Sequence, residues 1–569
     1  MNFSFNASLA AQLKRSFNGL WKVRANLLIA AFCILAITGL DAFYTYFVNE
    51  SYAFGWKSLS KNGYWLTCLL ILIATFIGRI AFKLFFSLLF VFAVFQIMTF
   101  EYFGSYILPI HFIQLLPDFL LILSGLVEVL PEMVPVLIKA GIALVFGIVV
   151  LVTLSRHRTT LPRAGFLVLA LIGGDLIGKY VFISVNREKL GEPSFKNLYP
   201  DTNNLGVYNS YKSASYLLVG ILPDMMAGRI KTYPALPAPA RLSSPDANII
   251  LILNESIRAD SITMLGHELK TTPRLASFEG AYNSQIYSAG TMTRTSWAGL
   301  LNRLKYPGLG AQLVSHSNCL FRLAKENGFK THFIYAQNRS VANTLLPFMC
   351  ASNIDSILVR DGAAPNFQDF DASLLHHLRG IDLAERNFIL IAPNGAHAPY
   401  GNKSPDSFKV FDDDYDNAVH YTDHVVADLV TYLQQNSSKP TYIIHTSDHG
   451  ELLKGEDSRR GHGWFKGKVV RVPFFFLALN EPVEGGKLSE AKKVMSHFDV
   501  ATLLIQLMGY EAEIEDQRSR TIFINGSDLS GLAGEMRLTI ADGSLTGIEI
   551  LNVPDDDAEL TDISLPVLK

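Results

Sequence analysis

The first third of the chain contains several apolar runs, each long enough to cross a lipid bilayer. A membrane-spanning helix needs about 20 mostly apolar residues, and five stretches meet that requirement: 25–47, 64–82, 84–105, 136–155 and 164–184. The first run is too long for a removable signal peptide and lacks the small-residue cleavage site. We therefore predict an α-helical membrane domain with five spans over residues 1–185, in which the proline-broken stretch 106–135 is interfacial or re-entrant.

Basic residues in the short loops predict the orientation of these spans. They concentrate before the first span, between spans two and three, and between spans four and five: Lys14, Arg15, Lys22, Arg24, Arg79, Lys83, Arg156, Arg158 and Arg163. Cytoplasmic loops carry the excess of Lys and Arg, so the N-terminus is expected inside. Five spans then place the remainder of the chain outside, in a periplasmic or extracellular compartment.

Among the charged residues within the predicted spans, three are candidates for a functional role: Glu101, Asp175 and Lys179. Charges at membrane depth are costly and tend to be functional. Asp175 and Lys179 are four residues apart in span five and can neutralise each other. Glu101 ends span three, where its carboxylate either reaches the interface or faces the ammonium group of a lipid head group.

From residue 247 onward the composition is that of an α/β domain, after a polar linker with interfacial helices at 186–246. Apolar runs predict strands at 248–253, 331–335, 388–392, 441–445 and 472–477, and amphipathic stretches predict helices at 319–327, 416–434 and 499–507. This alternation indicates a mainly parallel sheet covered by helices on both faces. The net charge of −2 supplies no basic field for nucleic acid, so we expect no nucleic-acid partner.

Two of the four cysteines lie in the soluble half, at Cys319 and Cys350. In an exported domain they can form a disulfide. The alternative is a pair of buried free thiols.

Polar residues follow two predicted strands, and these are candidate metal ligands. Glu255 follows strand 248–253, and Asp448 and His449 follow strand 441–445. Ligands gather at the carboxyl ends of parallel strands. Two carboxylates and one imidazole with an open fourth position suit zinc, whereas Mg²⁺ and similar ions prefer more oxygen ligands.

A hydroxyl-rich stretch, 288–296, offers a nucleophile. A threonine hydroxyl needs a metal or a base to lower its pKa before it attacks. The residues alone do not choose among Thr291, Thr293 and Thr295. Two histidines beside small residues, His397 and His462, are candidates to bind phosphate oxygens or to protonate a leaving alkoxide.

Six short motifs, taken together, resemble the membrane phosphoethanolamine transferases of the alkaline phosphatase and sulfatase superfamily. The motifs are Asn254-Glu255-Ser256, Gly290-Thr291-Met292-Thr293, Gly395-Ala396-His397-Ala398-Pro399-Tyr400, Tyr421-Thr422-Asp423, Ser447-Asp448-His449-Gly450-Glu451 and Gly461-His462-Gly463. The resemblance covers the whole chain, because that family also carries five N-terminal spans. It implies a sulfatase/alkaline-phosphatase-like α/β domain over 247–569, in the periplasm of a bacterial cell and anchored in the inner membrane.

The resemblance also implies roles for single residues. Aligned on Gly-Thr-x-Thr, the nucleophile is Thr293, a ligand of Zn²⁺ together with Glu255, Asp448 and His449; Mn²⁺ and Mg²⁺ fit this ligand set less well. His397 and His462 would contact the phosphate or a second zinc. A substrate-binding basic residue is expected near 335–342, where Arg339 is the candidate.

The implied reaction is transfer of phosphoethanolamine from phosphatidylethanolamine, a membrane phospholipid donor, to a cell-envelope lipid or glycan such as lipopolysaccharide. A covalent phosphothreonine is the expected intermediate. The enzymatic alternative is a phosphoglycerol transferase with phosphatidylglycerol as donor. The non-enzymatic alternative is an inactive anchor or binding module that retains the fold.

Overall fold

The computed structural model describes residues 4–47, 56–103, 107, 134, 138, 141, 145, 158–190, 206–226, 233–360, 369–457, 459–481, 487–529, 531 and 533–551. The chain divides into two compact units. The first comprises Met1–Arg229 with the short segment Gly455–Arg460, and the second comprises Ile230–Lys454 with Gly461–Lys569. The boundary falls inside the predicted linker 186–246.

The regular elements among the described residues of the first unit are all helices. Three of its helices contain stretches long and apolar enough to cross a membrane, Val23–Tyr46, Arg79–Ile97 and Ala164–Val185. Most of the predicted span 136–155 lies outside the described residues, as does most of 106–135, so the number of five spans stays a prediction. The helices are α1 (Ser4–Phe47), α2 (Asn62–Ala74), α3 (Arg79–Phe103), α4 (Ala164–Leu190), α5 (Gly206–Tyr216), a π-helix (Leu217–Ile221) and α6 (Leu222–Met226).

The predicted span 64–82 is shorter in the structure, because α2 ends at Ala74 and α3 begins at Arg79. The end of α2 is buried and its freed carbonyls are satisfied by side chains. The carbonyl of Thr75 accepts from Asn26 Nδ2 at 2.8 Å and from Arg158 Nη1 at 2.9 Å. These distant donors fix the helix end at a point where the apolar run continues, so hydropathy does not reveal it.

Polar side chains pair with each other inside the first unit. The predicted pair forms, with Lys179 Nζ 2.6 Å from Asp175 Oδ2. Two residues of α5 join it, since Tyr211 donates to Asp175 and Lys179 donates to Ser215, both at 2.8 Å. The charges of α4 are therefore neutralised and hydrogen-bonded to a neighbouring helix, an arrangement that would suit a membrane span.

The second unit is built on a seven-stranded mixed sheet in the order β2-β7-β6-β1-β5-β3-β4. The five strands from β6 to β4 run parallel, as predicted. Its strands are β1 (Asn248–Asn254), β2 (Tyr282–Tyr287), β3 (Lys330–Asn338), β4 (Ser356–Arg360), β5 (Asn387–Ala392), β6 (Thr441–Ser447) and β7 (Arg471–Leu479).

Two parts of the β structure depart from the predicted parallel arrangement. The strand predicted at 472–477 is β7, and it pairs antiparallel with both β6 and β2. The connection from β6 to β7 carries polar motif loops and a helix of only four residues, so it does not form the long helical crossover that a parallel strand needs. A second sheet of three antiparallel strands was not predicted: β8 (Arg520–Asn525), β9 (Glu535–Ala541) and β10 (Ser544–Leu551).

Helices cover both faces of the large sheet, and each face has its own apolar core. β1, β5 and β6 are buried along their whole length. The helices are α7 (Thr293–Leu301), α8 (Leu309–Leu313), α9 (Leu320–Glu326), α10 (Arg339–Leu345), α11 (Asp369–Arg379), α12 (Asp414–Asn436), α13 (Gly467–Val470), α14 (Lys487–Ala491) and α15 (His497–Leu507).

Cys319 and Cys350 form the predicted disulfide, across 31 residues of sequence. It joins the residue before α9 to the chain that follows α10. Closing a loop of this length restricts the unfolded chain by about 3–4 kcal/mol in the chain-entropy estimate.

We expect Cys319→Ser with Cys350→Ser to lower the free energy of unfolding of the second unit by about 3 kcal/mol, because the unfolded chain regains that loop entropy. Denaturant unfolding of the purified full-length protein measures the change. Wild-type protein treated with a reducing agent is the matched control and should unfold like the double variant. Equal stability of oxidised wild type and variant would contradict the estimate.

Candidate metal centre

The parallel pairing of β1 with β6 brings two of the sequence motifs side by side. In this register Asn254 pairs with Ser447, so the next residues along each strand are neighbours. The backbone N–H of Asp448 donates to the carbonyl of Asn254 at 2.9 Å, which fixes the junction. Glu255 and Asp448 therefore leave the sheet at the same edge and at the same height.

A left-handed residue then turns the backbone toward the Asp448 carboxylate. Ser256 has φ 60°, a conformation that costs a non-glycine residue about 1 kcal/mol or more. In this conformation the N–H of Ser256 donates to Asp448 Oδ1 at 3.1 Å, and the N–H of His449 donates to the same oxygen at 2.7 Å. The other oxygen, Oδ2, is buried and has no hydrogen-bond partner among the described residues.

Glu255, Asp448 and His449 offer three ligand atoms that all lie within 4.8 Å of one another. His449 Nε2 is 3.3 Å from Glu255 Oε1 and 3.5 Å from Asp448 Oδ2. The other ring nitrogen, Nδ1, lies 2.9 Å from the carbonyl of Gly450, which orients the ring. An imidazole held through one nitrogen by a carbonyl, with the other directed at two carboxylates, is the donor arrangement of a zinc ligand.

Burial and the charges of neighbouring side chains shift the pKa values of Glu255, Asp448 and His449. Burial raises the pKa of the Asp448 carboxyl to about 8, and the charge of Glu255 adds to the rise. Burial also acts to raise the pKa of Glu255, but the hydrogen bond and charge of His449 outweigh it and hold that pKa below its ordinary value. Burial acts to lower the pKa of His449, yet the two carboxylates raise it to about 10. The site thus favours added positive charge, as protons or as a divalent cation.

The geometry distinguishes the three threonines that the sequence left open. Thr293 Oγ1 lies 3.2 and 3.3 Å from the two Glu255 oxygens and 3.2 Å from His449 Nε2. Thr291 is fully buried and its hydroxyl has no hydrogen-bond partner among the described residues. Thr295 donates to the carbonyl of Met292 at 3.0 Å. Only Thr293, the first residue of α7, places its hydroxyl in the cluster.

The two predicted histidines lie beside this group, with a carboxylate that the sequence analysis had not singled out. The ring of His462 is centred 4.4 Å from that of His449 and 5.8 Å from that of His397. Glu451 Oε2, which is buried, lies 3.3 Å from His462 Nδ1. His449, Glu451 and His462 form a second group able to hold an ion. The signal for Glu451 was its place directly after Asp448-His449-Gly450.

Of the two further predicted site residues, Arg339 does not join the cluster, and the prediction for Glu101 lies outside the described side chains. Arg339 is exposed at the start of α10, and its Nη2 donates to the carbonyl of Ile357 in β4 at 2.8 Å. Glu101 lies in the last turn of α3, in the first unit, and its side chain is outside the described part. Burial lowers the pKa of His397, and the charge of Lys403, a buried basic residue that the sequence analysis missed, lowers it further.

Comparisons with known proteins agree with this architecture. Residues 247–510 match the Sulfatase family model. Among curated relatives, YhbX of Escherichia coli (strain K12) is 22% identical over 322 residues, which cover 53% of this chain and 55% of that protein. Phosphoethanolamine transferase EptA of Helicobacter pylori (strain ATCC 700392 / 26695) is 26% identical over 288 residues, which cover 44% and 52%. The chain spans about half the length of these curated relatives.

A solved structure shares the fold over most of the chain. It is the integral membrane protein lipooligosaccharide phosphoethanolamine transferase A from Neisseria meningitidis, with a TM-score of 0.52 at 14% identity, covering 85% of this chain and 97% of that one. Residues 247–510 of the second unit thus match the Sulfatase family model, and the chain is similar in sequence to curated phosphoethanolamine transferases.

Proposed function

We propose that this protein transfers phosphoethanolamine from phosphatidylethanolamine to a cell-envelope lipid or glycan, through a covalent intermediate on Thr293. The observation that carries the proposal is the place of the Thr293 hydroxyl, within 3.3 Å of Glu255 and His449 and half-buried at a helix start. A hydroxyl in this position has the ligands of a divalent cation on one side and remains accessible to a substrate.

The start of α7 favours the negative charge that the reaction brings to this point. The first N–H groups of a helix have no intrahelical partner and attract anions. Thr293 is the first residue of a nine-residue helix, so its oxygen and an incoming phosphate lie at that positive end.

Glu255, Asp448, His449 and Thr293 would hold Zn²⁺, and the buried unpartnered oxygen of Asp448 fits that ion. Bound there, zinc supplies a Lewis acid that lowers the pKa of the Thr293 hydroxyl. The Thr293 oxygen, which has given up its proton to water, forms a bond to phosphorus, and the bond from phosphorus to the diacylglycerol oxygen breaks.

His462 and His397 have different surroundings, which favour different roles. The buried carboxylate of Glu451 faces His462 Nδ1, so the ring is oriented to give a proton from its other nitrogen to the departing oxygen. Burial lowers the pKa of His397, and an arriving phosphate favours its protonated form, which binds the phosphate oxygens. In the second half-reaction an acceptor oxygen attacks phosphothreonine, His462 takes its proton, and Thr293 is released.

The membrane anchor gives this chemistry a physical setting. Three described helices are long and apolar enough to span a bilayer, and the distribution of Lys and Arg favours an inside N-terminus. We place the protein in a bacterial inner membrane with its sulfatase-family domain in the periplasm. A domain tethered there meets a lipid donor at raised effective concentration.

Thr293→Ala should abolish the covalent adduct and the release of diacylglycerol from labelled phosphatidylethanolamine, because it removes the hydroxyl that contacts both Glu255 and His449. The hydroxyl of Ser256 also lies in the cluster, where it donates to Glu255 Oε1 at 3.1 Å. Mass spectrometry of the trapped wild-type protein measures the adduct, and the added mass identifies the transferred group. Thr291→Val is the control, since its hydroxyl makes no described hydrogen bond. An adduct formed only from phosphatidylglycerol would show that the transferred group is phosphoglycerol and not phosphoethanolamine. Unchanged release of diacylglycerol by the Thr293→Ala protein would refute the assignment of Thr293 as the nucleophile.

Zinc binding to the metal-free protein should release roughly one to two protons per ion at neutral pH, because Asp448 and His449 both hold protons there. The release should fall at about pH 9, since Asp448 is by then mostly ionised. Calorimetry in buffers of different ionisation enthalpy measures it. Asp448→Asn is the matched variant and should show weaker binding with fewer protons released. Release that does not change with pH would contradict these ligands.

His462→Ala should lower the rate with a phospholipid donor by about 10²–10⁴-fold, the usual range for loss of a general acid. The rate should fall far less with a p-nitrophenyl ester of phosphoethanolamine, because nitrophenolate leaves without a proton. Exposed His376 provides the control, and His376→Ala should leave both rates unchanged. An equal fall in rate with both donors would show that His462 does not protonate the departing oxygen.

A further inference from the structure

A buried carboxylate outside the candidate metal centre holds the loop that carries His397. Asp371 lies in the first turn of α11 and is 4% exposed. Its Oδ1 accepts from the N–H of Asn394 at 2.6 Å, and its Oδ2 accepts from the N–H of Gly395 at 3.3 Å. Both carboxylate oxygens of Asp371 therefore accept hydrogen bonds from consecutive backbone N–H groups shortly before His397.

On its other side, the loop that carries His397 contacts the backbone of Glu255, a predicted metal ligand. The N–H of Ala396 donates to the carbonyl of Glu255 at 3.1 Å. Gly395 has φ 57°, and a Cβ there would lie 2.7 Å from the Glu255 carbonyl oxygen. The loop is thus fitted between Asp371 on one side and Glu255 on the other, with no room for a side chain at Gly395.

The backbone of Glu255 and the loop that carries His397 are held in place by different contacts. Glu255 follows β1, a strand paired on both sides and buried throughout, so its backbone is fixed by the sheet. The loop after β5 depends on Asp371 for two of its N–H groups. A shift of about 1 Å in a positioned group can cost a reaction about 10²-fold.

The charge of Asp371 is maintained at neutral pH by its surroundings. Burial raises its pKa to about 6, and the two N–H donors and nearby Lys403 limit that rise. Lys403 is itself buried, at 4% exposed. The ionised form, which accepts from both peptide groups at once, therefore predominates near neutral pH.

We propose that Asp371 is a positioning residue for the transfer reaction: through the N–H groups of Asn394 and Gly395 it sets the place of His397 relative to the phosphoryl group on Thr293. This role rests on the proposed function, in which His397 binds the phosphate. Asp371 itself belongs to neither group of candidate metal ligands.

The chain contains a matched control for the effect of losing such a carboxylate. Asp423, in α12, also accepts from two consecutive N–H groups, those of Arg274 at 3.0 Å and Leu275 at 2.9 Å. It is 2% exposed, and burial raises its pKa to about 6 as well. Its loop carries no residue of the candidate site, so it separates a local structural effect from an effect on His397.

The test compares Asp371→Asn with Asp423→Asn in the full-length protein, each alone and combined with His397→Ala. The measured quantities are the rate of Thr293 adduct formation from phosphatidylethanolamine, the zinc content and the thermal midpoint. Asparagine removes a buried charge and keeps the side-chain size, so both variants should fold with similar midpoints and bind zinc as the wild type does.

We expect Asp371→Asn to slow adduct formation about 10–100-fold and Asp423→Asn to slow it less than about threefold. In the His397→Ala background Asp371→Asn should cost less than about twofold, because the residue it positions is already gone. If Asp371→Asn is not recovered folded, Asp371→Glu, which keeps the charge and displaces it by one methylene, is expected to show the same dependence on His397.

Three results would overturn the role. Asp371→Asn that behaves like Asp423→Asn, or that retains its full penalty without His397, would reduce Asp371 to a structural residue. Loss of zinc in Asp371→Asn would place its effect on the metal ligands instead. Wild-type protein that forms no adduct refutes the proposed function and this role with it, whereas an active wild type with an unimpaired variant refutes the role alone.

Discussion

The structure of the candidate site depends on the parallel register of β1 with β6. That register aligns Asn254 with Ser447, and the residues that follow bring two carboxylates and an imidazole within a few ångströms of each other. Buried like charges repel, so the arrangement is stable only with compensating positive charge. His449 supplies part of it, and a divalent cation can supply the rest.

The remaining parts of the site come from elements on either side of this strand pair. α7 brings Thr293 to the cluster at its first residue, and the loop after β5 brings His397. The connection between β6 and β7 supplies Glu451 and His462, because it forms polar loops instead of a covering helix. Each contributes from the carboxyl edge of the parallel strands, where α/β sheets collect their ligands.

Much of the fold follows from residue patterns that need no long-range information. The five predicted strands and three predicted helices of the second unit are present, and the Cys319–Cys350 pair is bonded. The pattern did not reveal the antiparallel direction of β7, since a buried strand is apolar in either direction. The pattern did not reveal the end of α2 either, because the side chains that donate to the carbonyl of Thr75 there, Asn26 and Arg158, are distant in sequence.

By itself, the sequence determined the apolar helices, the alternation of strands and helices, and the residue types available for metal and phosphate chemistry. Only the tertiary structure decided which of three threonines meets Glu255 and His449, that Glu451 pairs with His462, and that Asp371 holds the loop before His397. Periodicity and propensity are local properties of a chain. Contacts between residues far apart in sequence depend on strand register and on the packing of loops, which no local pattern encodes.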